Sequence, residues 1–171
     1  GLLKTAIRDN DPVMFFEHKM LYTTKFNDVP EVEEDVCIPF GRARIVAEGA
    51  DITVVTNSMM TIKAEKAVRQ LQKEGISAEL IDLRTIVPLD TETIIRSVKK
   101  TGKLLIVDEG HLSFGITGEI ASRIMPDVFY DLDAPIQRMG TADVPLPFSP
   151  ALEFPLIPDE KKIAAKIREM V

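Results

Sequence analysis

The stretch from residue 79 to residue 111 constrains the fold more than any other part of the sequence. It opens with a strand-like apolar run that ends at Leu83, and Pro88 prevents that strand from continuing as a central member of a sheet. It closes with Lys103-Leu-Leu-Ile-Val107, a continuous apolar run of the kind that a parallel sheet buries on both faces. The order of strand, stop, helix-sized segment and strand predicts a parallel βαβ unit.

The segment between these two strands carries the signals of a helix. Asp90 offers its carboxylate to the exposed amides of a first turn, and Gly102 suits the position at which a helix stops. Ile94, Ile95 and Val98 lie on one face of the intervening stretch. We therefore expect the crossover helix of the βαβ unit here.

The preceding residues predict two strands and another helix. Ala43–Ala47 and Ile52–Val55 flank Gly49, whose flexible backbone suits the turn of a hairpin, and the first strand is expected to run antiparallel to the rest. A helix is predicted from Thr61 to Glu74, because its apolar positions recur at intervals of three and four residues. Gly75 suits its C-terminal stop, and the next strand is expected over residues 76–83.

The C-terminal third continues the alternation. Ile116, Ile120 and Ile124 form one helix stripe, and Pro126 is expected to kink or end that helix near Met125. The last strand is predicted over residues 136–139, followed by a proline-dense stretch too interrupted for regular structure and a terminal helix from residue 159 with Ile163, Ala164, Ile167 and Met170 facing inward. The fold class predicted is an α/β three-layer sandwich, with a mostly parallel sheet of about five strands and one antiparallel edge strand.

Three regions are expected along the chain. Residues 1–30 are interpreted as the remnant of a preceding domain, with a buried strand Val13-Met-Phe-Phe16 and an exit through Tyr22 and Phe26. Residues 31–40 are interpreted as an acidic, proline-containing linker, and residues 41–171 as the main domain. The chain opens on Gly1 within helical sequence, so we expect a piece of a longer protein.

Composition narrows the function classes. The 171 residues carry a net charge of −6, which gives no electrostatic reason to bind nucleic acid. The lone Cys37 cannot form an intrachain disulfide, which fits a reducing compartment, and cytoplasm is expected. No apolar run approaches the length of a membrane helix. With two histidines, one cysteine and no zinc-type spacing, a metal site made by this chain alone is not expected.

Three glycines, Gly110, Gly115 and Gly118, follow a predicted strand and open a helix, where backbone amides can face an anion. The pattern lacks the Lys-Ser or Lys-Thr ending of a P-loop, and the dinucleotide fingerprint belongs after the first strand of its unit, where no glycine stands. A structural or contact loop is therefore favoured over a phosphate site, with Gly115 as a loop candidate.

Polar side chains near the predicted strand ends are the remaining candidates. His111 follows Asp108 and Glu109 at the carboxyl end of a parallel strand, where a carboxylate can hold an imidazole for proton transfer. No nucleophile or third member is recognisable nearby, so a loop or subunit contact is favoured and His111 is only a weak catalytic candidate.

Arg84 is the second polar candidate. Its planar guanidinium can clamp a carboxylate or phosphate, but a buried ion pair with Asp82 or Asp108 that fixes the loop is favoured. For His18, beside Glu17, a structural contact is likewise favoured over a functional role. Met59 and Met60 are interpreted as side chains that fill the core or an interface.

Four segments resemble one protein family, the β subunits of thiamine-diphosphate-dependent 2-oxo acid and acetoin dehydrogenases. They are Asp11-Pro-Val-Met-Phe-Phe-Glu-His-Lys-Met-Leu-Tyr22, Glu79 to Asp90, Ser97-Val-Lys-Lys-Thr101 and Pro147-Phe-Ser-Pro-Ala-Leu-Glu153. Residues 41–171 resemble the transketolase-type C-terminal domain of these subunits, and the first segment resembles the exit of their pyrimidine-binding domain.

The resemblance implies a division of labour within a larger enzyme. The α subunit would hold the diphosphate of thiamine diphosphate through magnesium, and the N-terminal domain of β would activate the aminopyrimidine, so neither group is expected to bind this chain. This chain would serve assembly with the α subunit as α2β2 and docking of the lipoyl acyltransferase through its peripheral subunit-binding domain. It would be inactive alone.

The substrate stays open at this point. The Pro-Phe-Ser-Pro-Ala-Leu-Glu segment is more similar to acetoin-type members. Pro126 interrupts a helix that family members usually continue, and His111 stands where pyruvate-type members often show other residues. Two other functions also remain, a stand-alone regulatory or binding module and a flavodoxin-type nucleotide-binding domain, because such sheets host many activities.

Overall fold

A computed structural model describes residues 1–24 and 35–171. Its strands are β1 (Arg44–Ala47), β2 (Ile52–Thr56), β3 (Ala78–Asp82), β4 (Leu104–His111) and β5 (Gln137–Thr141). Its α-helices are α1 (Leu2–Arg8), α2 (Ser58–Lys73), α3 (Thr91–Thr101), α4 (Ile116–Val128), α5 (Pro150–Glu153) and α6 (Glu160–Met170). Two 3₁₀ turns cover Lys19–Tyr22 and Phe154–Leu156.

The five strands form one sheet in the order β1-β3-β2-β4-β5. β1 runs antiparallel to β3, and the other pairings are parallel. Buried side chains form one cluster that includes residues of α2 and α6 and a second that includes residues of α3 and α4. The predicted three-layer sandwich with one antiparallel edge strand is confirmed.

The predicted hairpin between β1 and β2 is wrong, because β3 lies between these two strands. The connection from β1 to β2 must therefore cross the beginning of β3. Gly49 makes this crossing, and a Cβ atom there would lie 2.2 Å from both the carbonyl carbon of Ala78 and the amide nitrogen of Glu79. The glycine is required by a close backbone approach rather than by a tight turn.

The predicted helix ends are present. The Asp90 carboxylate accepts the Thr93 amide at 3.0 Å at the start of α3, and Gly102 ends that helix in the left-handed region with φ of 69°. Gly75, with φ of 88°, follows α2 in the same way. Asp159 accepts the Lys162 amide at 2.8 Å at the start of α6.

Helix α4 continues past Pro126 to Val128, so an end near Met125 is wrong. Pro126 deprives the carbonyl of Ser122 of a helical partner, but Ser122 lies on the exposed side of the helix where water can bind that oxygen. Val128 is fully buried, and the Phe129 amide donates to the Met125 carbonyl at 3.0 Å. Core packing and this hydrogen bond therefore stabilise the last turn of α4.

The end of β4 lies further along the chain than the apolar pattern indicates. The apolar run stops at Val107, yet the strand continues to His111 because it keeps pairing with β5 beyond an irregularity in register. The proline-dense stretch also holds more structure than expected, since α5 and the 3₁₀ turn Phe154–Leu156 form within it.

The N-terminal segment contains no buried strand at Val13-Met-Phe-Phe16, which corrects that prediction. The side chains of Met14 and Phe16 are 80% and 86% exposed. A strand needs a neighbour for its backbone hydrogen bonds, and none of the five described strands pairs with these residues. Phe26 and residues 31–34 of the predicted linker lie outside the described residues, and the domain boundaries stay predictions.

A buried carboxylate sits beside the Gly49 crossing. Glu79 is almost fully buried on β3 and contacts the ammonium of Lys100 on α3, while the Gly49 amide donates to Glu79 Oε2 at 3.3 Å. Burial raises the pKa of Glu79, but hydrogen bonds led by that from Lys100 outweigh it and hold the pKa below its usual value. The carboxylate thus ties β3, α3 and the crossing together.

None of the helices among residues 1–24 and 35–171 combines the length and the hydropathy that a bilayer crossing requires.

We predict that Gly49→Ala destabilises the fold far more than Gly75→Ala. The first change drives a methyl group into the backbone of β3 and should lower the free energy of unfolding by about 3 kcal/mol or more. The second meets no atom within 4 Å and adds only left-handed strain, about 1–2 kcal/mol. Urea unfolding measures both, and equal losses would contradict the crossing as the reason for Gly49.

We predict that Lys100→Met lowers the free energy of unfolding at pH 7 by about 2 kcal/mol, because it leaves the buried Glu79 carboxylate without its cation. The matched variant Lys99→Met removes only an exposed pair, 3.9 Å from Asp131, and should change stability by less than about 0.5 kcal/mol.

The pH dependence follows from the sign of the Glu79 shift. Its folded-state pKa lies below the unfolded value, so its contribution is present above the unfolded pKa and is lost as pH falls through the folded one. The difference between wild type and Lys100→Met should therefore shrink as pH is lowered from 7 to 4. A difference that stays constant or grows would refute the charge pairing.

Candidate functional site

The carboxyl ends of β4 and β5 gather the polar candidates of the sequence at one edge of the sheet. We call residues 108–115 and 141–145 the carboxyl edge. In parallel α/β sheets this is the side on which ligands collect, because the loops there converge above the strand ends. The structure brings Asp108, Glu109, His111 and Gly115 together here as predicted from their positions, and Arg84 lies apart, after β3.

His111 is exposed, and its ring is held by the backbone of the neighbouring loop. Its Nδ1 lies 2.9 Å from the carbonyl oxygen of Ala142. A carbonyl can only accept, so Nδ1 carries the proton and Nε2 faces outward as an acceptor in the neutral ring. The imidazole is thus oriented for a contact.

Ser113 lies two residues after this histidine in the sequence, but its hydroxyl bonds to another partner. Its Oγ donates to Asp143 Oδ2 at 2.6 Å and its amide donates to Asp143 Oδ1 at 3.2 Å. These bonds hold the pKa of Asp143 below its usual value. Because Ser113 donates to a carboxylate and not to His111, the arrangement lacks the nucleophile and base contact of a serine hydrolase.

The three side chains line a shallow, open depression of about 350 Å³, together with Val144 and Pro145. Phe114 and Phe148, in the loops on either side, are wholly exposed. Phe114 also adopts a left-handed backbone with φ of 56°, which a bulky residue rarely does. The depression is open and is lined partly by polar side chains, which suits a contact surface better than an enclosed active site.

Asp108 and Glu109 take different partners. Asp108 Oδ2 accepts the Gly110 amide at 3.0 Å, a local turn that keeps the carboxylate at the strand end. Glu109 Oε2 lies 2.8 Å from Nε2 of His18 in the N-terminal segment. Both His18 and Glu109 were candidates from the sequence. They lie far apart along the chain, so the sequence did not predict that they contact each other.

Gly115 is required by sterics. A Cβ atom there would lie 2.1 Å from the carbonyl oxygen of His111, because the loop folds back onto the end of β4 before α4 begins. The Gly118 amide donates to the Gly115 carbonyl at 3.1 Å and is used within the turn. The glycines therefore serve the packing of a loop, the alternative that the sequence favoured over a phosphate cradle.

Arg84 follows β3 with a left-handed backbone, φ of 59°. Its backbone amide, at 3.2 Å, donates to Asp82 Oδ1, and burial is the main reason that the pKa of Asp82 is raised. The favoured ion pair is not formed, since the Arg84 guanidinium lies beyond 4 Å from the carboxylates of Asp82 and Asp108, all of which are described. The backbone amide of Arg84, and not its guanidinium, therefore bonds to Asp82.

The described part of the chain brings together no group of three histidine, cysteine, aspartate or glutamate side chains that could hold a metal ion. Met59 and Met60 lie in the core, as expected.

Comparison with known proteins identifies relatives over nearly the whole chain. Residues 41–163 match the family described as "Transketolase, C-terminal domain". The chain is 48% identical to the "Pyruvate dehydrogenase E1 component subunit beta" of Rickettsia felis, with 99% of the chain and 51% of that protein covered. It is 43% identical to the "2-oxoisovalerate dehydrogenase subunit beta" of Bacillus subtilis, with 99% and 52% covered.

A third relative and one solved structure extend this picture. The "Acetoin:2,6-dichlorophenolindophenol oxidoreductase subunit beta" of Cupriavidus necator is 45% identical, with 99% of the chain and 49% of that protein covered. A structure titled "Split gene transketolase, inactive beta4 tetramer" superimposes with a TM-score of 0.67 at 28% identity, covering 83% of this chain and 45% of that one. The chain spans about half the length of the curated relatives it matches.

We predict that Ser113→Ala raises the pKa of Asp143 toward its usual value, because the variant removes the larger of the two hydrogen bonds that stabilise the carboxylate. Ser122→Ala, on the exposed side of α4, is the matched control and should leave Asp143 unchanged. Carboxyl carbon shifts followed by NMR between pH 2 and 6 measure this. An unchanged Asp143 titration in Ser113→Ala would show that the pair does not persist in solution.

Proposed function

We propose, on the premise that the chain belongs to the transketolase C-terminal domain family, that it forms the C-terminal part of the β subunit of a thiamine-diphosphate-dependent 2-oxo acid or acetoin dehydrogenase. The observation that carries the proposal is the match of 99% of the chain to β subunits named for three such enzymes. The whole enzyme would decarboxylate a 2-oxo acid, or cleave acetoin, and pass the acyl group to lipoyl on an acyltransferase.

The role proposed for this chain is assembly. Its surface supports this, because several large aromatic side chains are exposed by half or more of their area. They are Phe16, Tyr22, Phe114, Phe129, Tyr130, Phe148 and Phe154. Aromatic residues of this kind are enriched in the buried centres of protein interfaces, where their area is removed from water. We expect the α subunit, in an α2β2 assembly, and the peripheral subunit-binding domain of the acyltransferase to cover part of this surface.

The proposal assigns no cofactor step to this chain. Thiamine diphosphate, when bound in the whole enzyme, supplies the carbanion chemistry of decarboxylation. The carboxyl edge offers a carbonyl-bound imidazole and a serine-bound carboxylate, which orient contacts but do not converge on a diphosphate. We propose that the cofactor and magnesium bind outside these residues, on other parts of the whole enzyme. Cytoplasm is the compartment proposed, in keeping with an enzyme of soluble metabolites.

The substrate is proposed only as a class. The three relatives are named for pyruvate, 2-oxoisovalerate and acetoin. Their percentages of sequence identity to this chain are close to one another, so identity does not choose among the three substrates. Residues 147–153 resemble acetoin-type members, which favours acetoin as the substrate. Profiling of the whole enzyme with all three substrates would decide among them.

We predict that the 171-residue chain alone binds no thiamine diphosphate in the presence of magnesium and shows no turnover of pyruvate, 2-oxoisovalerate or acetoin. Isothermal titration calorimetry and reduction of an artificial electron acceptor measure the two properties. The whole β subunit combined with its α subunit is the matched positive control and should show both. Cofactor binding or turnover by the chain alone would overturn the proposal, and so would inactivity of the complete assembly on every member of the substrate class.

A further inference from the structure

His18 makes one hydrogen bond within the N-terminal segment and one to the end of a strand of the sheet. Its Nδ1 lies 3.2 Å from the amide of Met20, where it caps the 3₁₀ turn Lys19–Tyr22. Its Nε2 lies 2.8 Å from Oε2 of Glu109 near the end of β4, and both side chains are partly buried. Leu21, within the same turn, packs against the core cluster that contains residues of α2 and α6. Leu21 and the His18 imidazole thus both connect this turn to the rest of the domain.

The two partners of His18 demand one protonation state. The Met20 amide can only donate, so Nδ1 must carry a lone pair, and the ionised Glu109 carboxylate can only accept, so Nε2 must carry the proton. Only the neutral ring with its proton on Nε2 satisfies both. The opposite neutral tautomer loses both bonds, and the imidazolium loses the bond to the Met20 amide.

Glu109 is presented to His18 by a distortion of β4. Between the paired positions Val107 and His111, the strand advances four residues while β5 advances two, from Met139 to Thr141. Such bulges redirect side chains near the ends of strands. The hydroxyl of the buried Thr141 donates to the Glu109 carbonyl at 2.6 Å and fixes the bulge from the neighbouring strand.

We infer that His18 is a tautomer-specific latch. In its neutral form with the proton on Nε2, it fastens the turn Lys19–Tyr22 to the bulge of β4, and losing either bond frees the segment that carries Val13-Met-Phe-Phe16. The latch sets the position of this exposed apolar segment relative to the carboxyl edge. It is a positioning device within the fold and does not depend on the enzyme to which the chain belongs.

The chain provides its own control, because it contains only two histidines and they face opposite partners. His111 donates from Nδ1 to a backbone carbonyl, whereas His18 accepts at Nδ1. Long-range ¹H–¹⁵N NMR of the 171-residue chain at pH 8 separates the two tautomers. We expect the proton on Nε2 of His18 and on Nδ1 of His111. A proton on Nδ1 of His18, or fast averaging of its two tautomers, would overturn the latch without any variant.

Variants then test whether the two bonds act together. His18→Asn keeps a short acceptor suited to the cap but cannot reach Glu109, and Glu109→Ala removes the other partner. Each should speed hydrogen exchange of the Thr23 and Thr24 amides, which bond to the turn, by about tenfold. The double variant should exchange no faster than the single ones, because both break the same latch.

Glu119→Ala removes a carboxylate of equal charge from an exposed pair on α4 and is the matched control. It should leave the exchange of the turn amides unchanged. Unchanged exchange in both His18→Asn and Glu109→Ala, or effects that multiply in the double variant, would show that the turn is held by Leu21 alone.

Discussion

The crossing of the β1–β2 connection over the start of β3 is the constraint on which the rest of the structure depends. Because β3 inserts between β1 and β2, the crossing chain must touch the backbone of Ala78 and Glu79, and only glycine at position 49 allows it. The Glu79 carboxylate beside it is then buried and needs both the Gly49 amide and Lys100. With β1, β2 and β3 fixed in this order, β4 and β5 take the other half of the sheet, and their ends form the carboxyl edge.

Much of this fold could be predicted from the sequence because its signals are local. Gly75, Asp90 and Gly102 mark helix ends through hydrogen bonds and backbone angles set within a few residues. The wrong hairpin had no such signal, since a glycine at a turn and a glycine at a backbone crossing look alike in sequence. The end of α4 expected near Met125 was wrong for a related reason, because the burial of Val128, which stabilises the helix beyond Pro126, is a tertiary effect.

The sequence pointed to one loop of the candidate site, but neither to Ser113 and Asp143 nor to the contacts within the site. The rule that ligands collect at the carboxyl ends of parallel strands singled out that loop. Asp108, Glu109, His111 and Gly115 lie together because they are neighbours on β4 and the loop after it. Their partners come from elsewhere in the chain: Ala142 for His111, and His18 for Glu109. Each of these contacts uses up bonding capacity that an active site would need, and the exposed Phe114 and Phe148 remain as the prominent features of the loops beside them. A domain built to contact other chains accounts for both observations.

Hydroxyl-radical footprinting tests that account most directly, by comparing this domain alone with the same domain inside the assembly that we propose it forms with an α subunit. Aromatic side chains react in proportion to their exposure, so Phe16, Phe114, Tyr130 and Phe148 should all be oxidised in the isolated chain. The account predicts that assembly protects several of them while the overall structure of the domain is unchanged. Equal oxidation of all four in both states would contradict the assignment of this chain to assembly.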